Sequence, residues 1–166
     1  MHVHEGRLVF TEKVGLEGKI TRKKARLAKG FTEVWGEDYL HMYSLTLGQD
    51  TLFTCLAYAT SQDLEIHQLD AVAVYLNSDL TEELYLHPPA GVPLSSGLIW
   101  WLQKALYSLK QAGLEWYCTL HAHIRSIGYA QSGHDPCLYI CSPDSFVVVY
   151  IDDLLVFVSR EKLLQR

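Results

Sequence analysis

The chain has 166 residues, 49% of them hydrophobic and 20% charged, with a formal net charge of −5. That length and apolar content describe a globular domain with a real core and exclude a disordered or low-complexity chain. No apolar run approaches the roughly 20 residues of a membrane-spanning helix, so no membrane partner is expected. The opening MHVHEGRLVF has no basic stretch leading into an apolar core. The four cysteines, Cys55, Cys118, Cys137 and Cys141, include no CxxC pair, and a reduced, intracellular protein is expected, cytoplasmic or nuclear.

In chain order, Arg7 to Lys13 and Lys19 to Leu27 read as two strands joined by the glycine-containing VGLEG. Asp50 to Ser61 reads as a helix capped by Asp50 or Thr51, with Leu52, Phe53, Leu56 and Ala59 on one face. LEIHQLD, Leu64 to Asp70, reads as a strand ending at an aspartate, and AVAVYLN as a short helical segment. Glu83 to His87 is strand-like, and the prolines and glycines of PPAGVPLSSG forbid regular structure. From Gln111, the positions Leu114, Tyr117, Leu120, Ile124 and Ile127 repeat at three and four residues until Gly128 ends the helix. Cys137 to Cys141 and Phe146 to Val158 are strand patterns. The succession of strands, helix, strands, helix and strands is an α+β layout.

Charge is unevenly spread. KITRKKARLAK, residues 19 to 29, holds Lys19, Arg22, Lys23, Lys24, Arg26 and Lys29, whereas residues 30 to 103 contain ten acidic residues and no Lys or Arg. Taken alone, the basic run fits a solvated strand face at least as well as a polyanion site.

The stretch FVVVYIDDLLVFV, Phe146 to Val158, carries two adjacent aspartates in an otherwise apolar run. VVVYI and LLVFV have the spacing of a tight hairpin, which places Asp152 and Asp153 at its turn. A polar surface turn is the plain reading. Carboxylates crowded beside a core nevertheless repel unless a cation compensates, and a hard divalent ion with oxygen ligands suits them. Asp70, at the end of another strand, is the natural third carboxylate, a triad that suggests two-metal phosphoryl transfer.

YIDDLLV resembles the catalytic hairpin of reverse transcriptases. HQLDAVAVYLNSDLTEELYLHPPAGV, LQKALYSLKQAGLEWY and HDPCLYI resemble, in the same order, successive motifs of copia-type retrotransposon polymerases, and KITRKKARLAKGF resembles the fingers motif that precedes them. The resemblance covers nearly the whole chain. It implies a polymerase palm, an antiparallel sheet backed by helices, with a partial fingers hairpin; residues 1–48 are fingers-like, 49–166 mainly palm, and the thumb is absent. It implies RNA-directed DNA synthesis from a primed RNA or DNA template and deoxynucleoside triphosphates, with Mg²⁺, or alternatively Mn²⁺, as cofactor. Asp70 and Asp152 take the positions of metal ligands, and Asp153 that of a supporting carboxylate at the metals. Tyr75 takes the aromatic position under the incoming sugar, Gln111 a nucleotide contact, and Lys24 and Arg26 the fingers segment that meets the triphosphate.

The chain departs from the family pattern in several places. RLAKG is one residue short in the fingers motif, YSLTLGQD lacks a proline and a basic residue, and Val72 stands where the family has a lysine. Ser108 replaces a glycine and Gly113 a proline. A fragment or decayed copy with weak or no processive synthesis is therefore expected, and a noncatalytic nucleic-acid-binding or scaffold remnant is the alternative. A zinc site drawn from His121, His123, His134, Cys137 and Cys141 is disfavoured, because the cysteines lack knuckle spacing and His121 and His123 do not share a helix face.

Overall fold

The computed structural model describes residues 3–5, 7–16, 18–28, 34, 36, 39, 41, 45–92, 97–107 and 109–163. Lys29, Ser108 and residues 93–96 of the proline-rich loop lie outside them. The elements are β1 (Val3–Glu5), β2 (Arg7–Val14), β3 (Ile20–Ala28), α1 (Gln49–Ser61), β4 (Glu65–Asp70), a 3₁₀ turn (Val74–Asn77), β5 (Asp79–His87), β6 (Trp100–Lys104), α2 (Ala112–Ser126), β7 (Ala130–Gln131), β8 (Leu138–Ser142), β9 (Ser145–Tyr150), β10 (Asp153–Val158) and α3 (Arg160–Leu163). The α+β layout expected from the sequence is observed. Two compact units share these elements: Met1–Met42 with Tyr75–Trp116, and Tyr43–Val74 with Tyr117–Arg166.

In the first unit, β2 and β3 form the basic hairpin. Gly15 N–H donates to the Lys19 carbonyl at 2.9 Å, and Gly18 takes a φ of 72°, a value that a side chain would resist. A bulge follows Lys13. A second, three-stranded sheet runs β1-β5-β6, with β1 parallel to β5 and β6 antiparallel to it. Leu84, Ala105, Leu109 and Ala112 form a buried cluster in this unit, rimmed by Tyr75, Leu80, Leu102 and Leu106. β5 begins at Asp79 rather than Glu83, and the short β1 and β6 pair without any sustained alternation in their sequences.

The second unit is a five-stranded antiparallel sheet in the order β4-β10-β9-β8-β7. Its centre explains the uninterrupted run FVVVY. Phe146 and Val148 of β9 face α1, while Val147 and Val149 point to the opposite side, and all four are buried. A strand covered on both faces has no polar side to alternate with. Toward α1 the core is Cys55, Ala59, Phe146, Val148 and Phe157, with Leu47, Leu52, Leu56, Leu64, Leu138 and Leu155 around it. The Phe146 and Phe157 rings stack at 4.5 Å. On the opposite side, Tyr139 lies beside Val147, and its hydroxyl meets His121 Nδ1 of α2 at 3.0 Å. Gln131 Nε2 donates to the Tyr117 hydroxyl at 2.6 Å, which satisfies polar groups beneath the helix.

Several local expectations are corrected. Phe53 is exposed, and Cys55 takes the buried place on α1, one helical turn before Ala59. The N-cap of α1 is Gly48, not Asp50 or Thr51, and it makes no side-chain cap bond. Only Val74–Asn77 of AVAVYLN is helical, as a single 3₁₀ turn, with Ala73 at a φ of 56° before it. Ile127 lies past the end of α2 and is exposed, while Gly128 closes the helix with a φ of 97°.

Candidate active site

The hairpin turn falls one residue earlier than its charges suggest. Ile151 and Asp152 form the turn, and Asp153 is already the first residue of β10, paired with Tyr150 on one side and Asp70 on the other. Ile151 adopts a φ of 56°. A β-branched residue is strained there, at a cost on the order of 1–3 kcal/mol, and holds the conformation only because its surroundings impose it.

The ladder between β4 and β10 brings the carboxylates together. Asp70 stands directly opposite Asp153, and residues so paired share a sheet face with Cβ atoms roughly 5 Å apart. One step beyond, Ala71 N–H donates to the Asp152 carbonyl at 2.9 Å, so the backbone fixes Asp152 at the same strand end. Gln68, two residues before Asp70 and on the same face, donates from Nε2 to Asp153 Oδ1 at 3.1 Å. Gln68 and Asp153 line a cavity of about 440 Å³ whose remaining wall, Leu47, Leu52, Val148, Tyr150 and Leu155 among others, is largely apolar.

Like charges opposite one another destabilise a sheet unless compensated. The donors at this strand end are carboxylate oxygens, which suit a hard cation such as Mg²⁺ or Mn²⁺. Among the described residues, no group of three or more His, Cys, Asp or Glu side chains is gathered into a ready ligand set. The three aspartates are thus neighbours on the backbone rather than a closed cage.

The other four candidates belong to the first unit. The Tyr75 ring, on the 3₁₀ turn, meets Tyr107 edge-on at 4.8 Å. Gln111 is buried, and its carbonyl accepts the Glu115 N–H at 3.0 Å in the first turn of α2. Lys24 pairs with Thr11 and Arg26 with Val9. With Arg22 opposite Lys13 and Arg7 opposite Ala28, the strand period puts five basic positions, Arg7, Lys13, Arg22, Lys24 and Arg26, on one face of the hairpin. Lys23, on the other face, is ion-paired to Glu12 at 3.5 Å.

A zinc set has little to recommend it. Burial, then the charge of Asp135, pushes the Cys137 thiol up to about 11, far from the thiolate that zinc requires. His121 is engaged with Tyr139, and Cys141 is exposed at the sheet surface while Cys137 is buried. Among the described residues no helix is long and apolar enough to cross a membrane.

Two residues escaped the sequence reading. Gln68 was detectable only as the position two before Asp70, hence on its face. Asp135, in the HDPCLYI motif, carries no local signal of its role; it is buried and accepts backbone N–H bonds from Cys137 at 2.8 Å and Gly48 at 2.9 Å.

Residues 3–166 match a family model described as reverse transcriptase (RNA-dependent DNA polymerase). The chain is 35% identical over 161 residues, 93% of its length, to the retrovirus-related Pol polyprotein from transposon TNT 1-94 of Nicotiana tabacum. It is 32% identical over 156 residues to that from transposon RE2 of Arabidopsis thaliana. It is 34% identical over 117 residues, 70% of its length, to the transposon Ty1-BL Gag-Pol polyprotein of Saccharomyces cerevisiae. The chain spans 12%, 11% and 7% of those polyproteins. No solved structure matches it.

Proposed function

The chain belongs to the copia-type reverse transcriptases, and from that premise we propose that it carries the metal-binding core of RNA-directed DNA synthesis, the attack of a primer 3′-hydroxyl on the α-phosphate of a deoxynucleotide. The observation that carries the reading is the register that sets Asp70 opposite Asp153 with Asp152 bonded to Ala71. Asp70 and Asp153 on two paired strands, with Asp152 on the adjoining turn, give the sheet an acidic end, and β10 is flanked on its other side by the buried β9.

In this reading Asp70 and Asp152 hold the divalent ions, with Asp153 as the third carboxylate beside them. Bound Mg²⁺ or Mn²⁺ would supply activation of the 3′-hydroxyl and neutralisation of the triphosphate and leaving group. The chain's own residues do the rest. Tyr75 packs under the incoming sugar and discriminates against a 2′-hydroxyl, Gln111 contacts the nucleotide, and the hairpin face bearing Lys24 and Arg26 meets the triphosphate. The five-stranded sheet with α1 and α2 serves as the palm, and the β2–β3 hairpin as part of the fingers.

The test is primer extension on an RNA template at low salt with Mg²⁺ or Mn²⁺, comparing the 166-residue chain with an Asp152→Ala, Asp153→Ala double variant. Weak, non-processive extension that the double variant abolishes is expected. Duplex grip comes mainly from phosphate neutralisation, and residues 30–103 offer no cation. That same charge distribution favours, as second reading, a remnant that keeps the fold without catalysis; equal, negligible signals from both proteins, with no Mn²⁺ binding, would select it.

A further inference from the structure

The bond between Gln68 and Asp153 has a direction that matters. Across the β4–β10 ladder Asp153 faces Asp70 squarely, while Gln68 is its diagonal neighbour, opposite Leu155. Diagonal pairs lie about 7–8 Å apart, within reach only of a long side chain. Gln68 Nε2 nevertheless donates to Asp153 Oδ1 at 3.1 Å, so the carboxylate is engaged by a donor other than its facing neighbour, and both residues line the same cavity. An amide N–H donor is what an anion repelled by its opposite neighbour would accept in place of a cation.

We propose that Gln68 is a positioning residue that parks the Asp153 carboxylate in the metal-free chain, and that divalent-ion binding must take Asp153 from it. The inference rests on the assignment of the aspartates as a metal site. Gln68 then works in two opposed senses: it stabilises the empty sheet end by separating like charges, and it competes with the cation. A donor that oriented Asp153 for the metal would do the reverse, since loss of such a supporting bond lowers metal affinity by 10- to 100-fold.

The measurement is Mn²⁺ titration of the 166-residue chain followed by electron paramagnetic resonance, alongside thermal melting in chelator and in excess Mn²⁺. Gln68→Met keeps the length of the side chain and removes the donor; Gln68→Leu repeats the test with a different shape. Both are expected to tighten Mn²⁺ binding by roughly three- to ten-fold, the reciprocal of one modest hydrogen bond. Both should also lower the melting temperature in chelator, a deficit that Mn²⁺ removes. Gln49→Ala, which alters the same cavity wall without touching Asp153, should change neither affinity nor its metal dependence. Unchanged or weaker Mn²⁺ binding in both Gln68 variants overturns the parking role while leaving the metal site intact. An Asp70→Ala chain that binds Mn²⁺ as tightly as the unaltered one, or an unaltered chain that binds none, overturns the metal assignment and the inference with it.

Discussion

Asp135 and Gly48 lie 87 residues apart and meet at the start of α1, where the Gly48 N–H donates to Asp135 Oδ2 at 2.9 Å. The Cys137 N–H donates to the other oxygen at 2.8 Å, and the Thr51 side chain bonds the same carboxylate. The HDP segment thereby supplies from outside the helix the side-chain acceptor that Gly48, the N-cap of α1, cannot provide. Asp135→Ala should cost about 2–3 kcal/mol, the penalty for several donors left without their acceptor. Urea denaturation measures it, and a loss below about 0.5 kcal/mol would mean that water replaces the carboxylate freely.

The same carboxylate gives a pH dependence. Burial raises the Asp135 pKa, but the bonds from Thr51, Cys137 and Gly48 outweigh it, and the net shift is downward. A pKa lower in the folded than in the unfolded chain contributes stability that is fully present above the unfolded value, about 4, and is lost as pH falls through the folded value. Denaturation midpoints should therefore drop as pH falls below about 4, and Asp135→Asn should flatten that part of the profile. A slope identical in the variant would assign the acid sensitivity to other carboxylates.

Phe157 is fully buried and stacked on Phe146. Phe157→Ala should cost about 3–5 kcal/mol, enough to unfold much of a marginal domain at 37 °C. Phe53→Ala, on the same unit but exposed, should stay within about 0.5 kcal/mol. Comparable losses at the two positions would contradict the assignment of the α1 face.

Asp70→Asn should abolish Mn²⁺ binding while leaving the metal-free fold as stable or slightly more so, because it removes one of two opposed charges. Paired calorimetry and melting curves read both effects. A large loss of stability would recast Asp70 as a structural residue.

Lys24→Glu with Arg26→Glu reverses two positions on the basic face of the hairpin. Binding of nucleotide or single-stranded nucleic acid should weaken, and the salt dependence of the remainder should become shallower, since each lost phosphate contact lowers the slope. Fluorescence anisotropy across a salt series checks it; an unchanged slope reduces the run to a solvated surface.

Much of this was legible in the residues. Two strand-like runs joined by the glycine-containing VGLEG announced the β2–β3 hairpin, period-3.6 patterning announced α1 and α2, and the apolar arms around IDD announced β9 and β10. Local sequence carries such elements because side chains one or two turns apart share a face whatever the rest of the chain does. The motif order also carried the family. What no local pattern held was pairing. That β4 is the neighbour of β10, so that Asp70 stands opposite Asp153, is a contact between strands some 80 residues apart; it is decided by which apolar faces bury one another, and a slip of one residue would have sent Asp70 to the other face. The one-residue offset of the turn, the cap that Asp135 lends to α1 and the reach of Gln68 to Asp153 have the same origin: hydrogen bonds between distant segments exist only once the sheet has set their register.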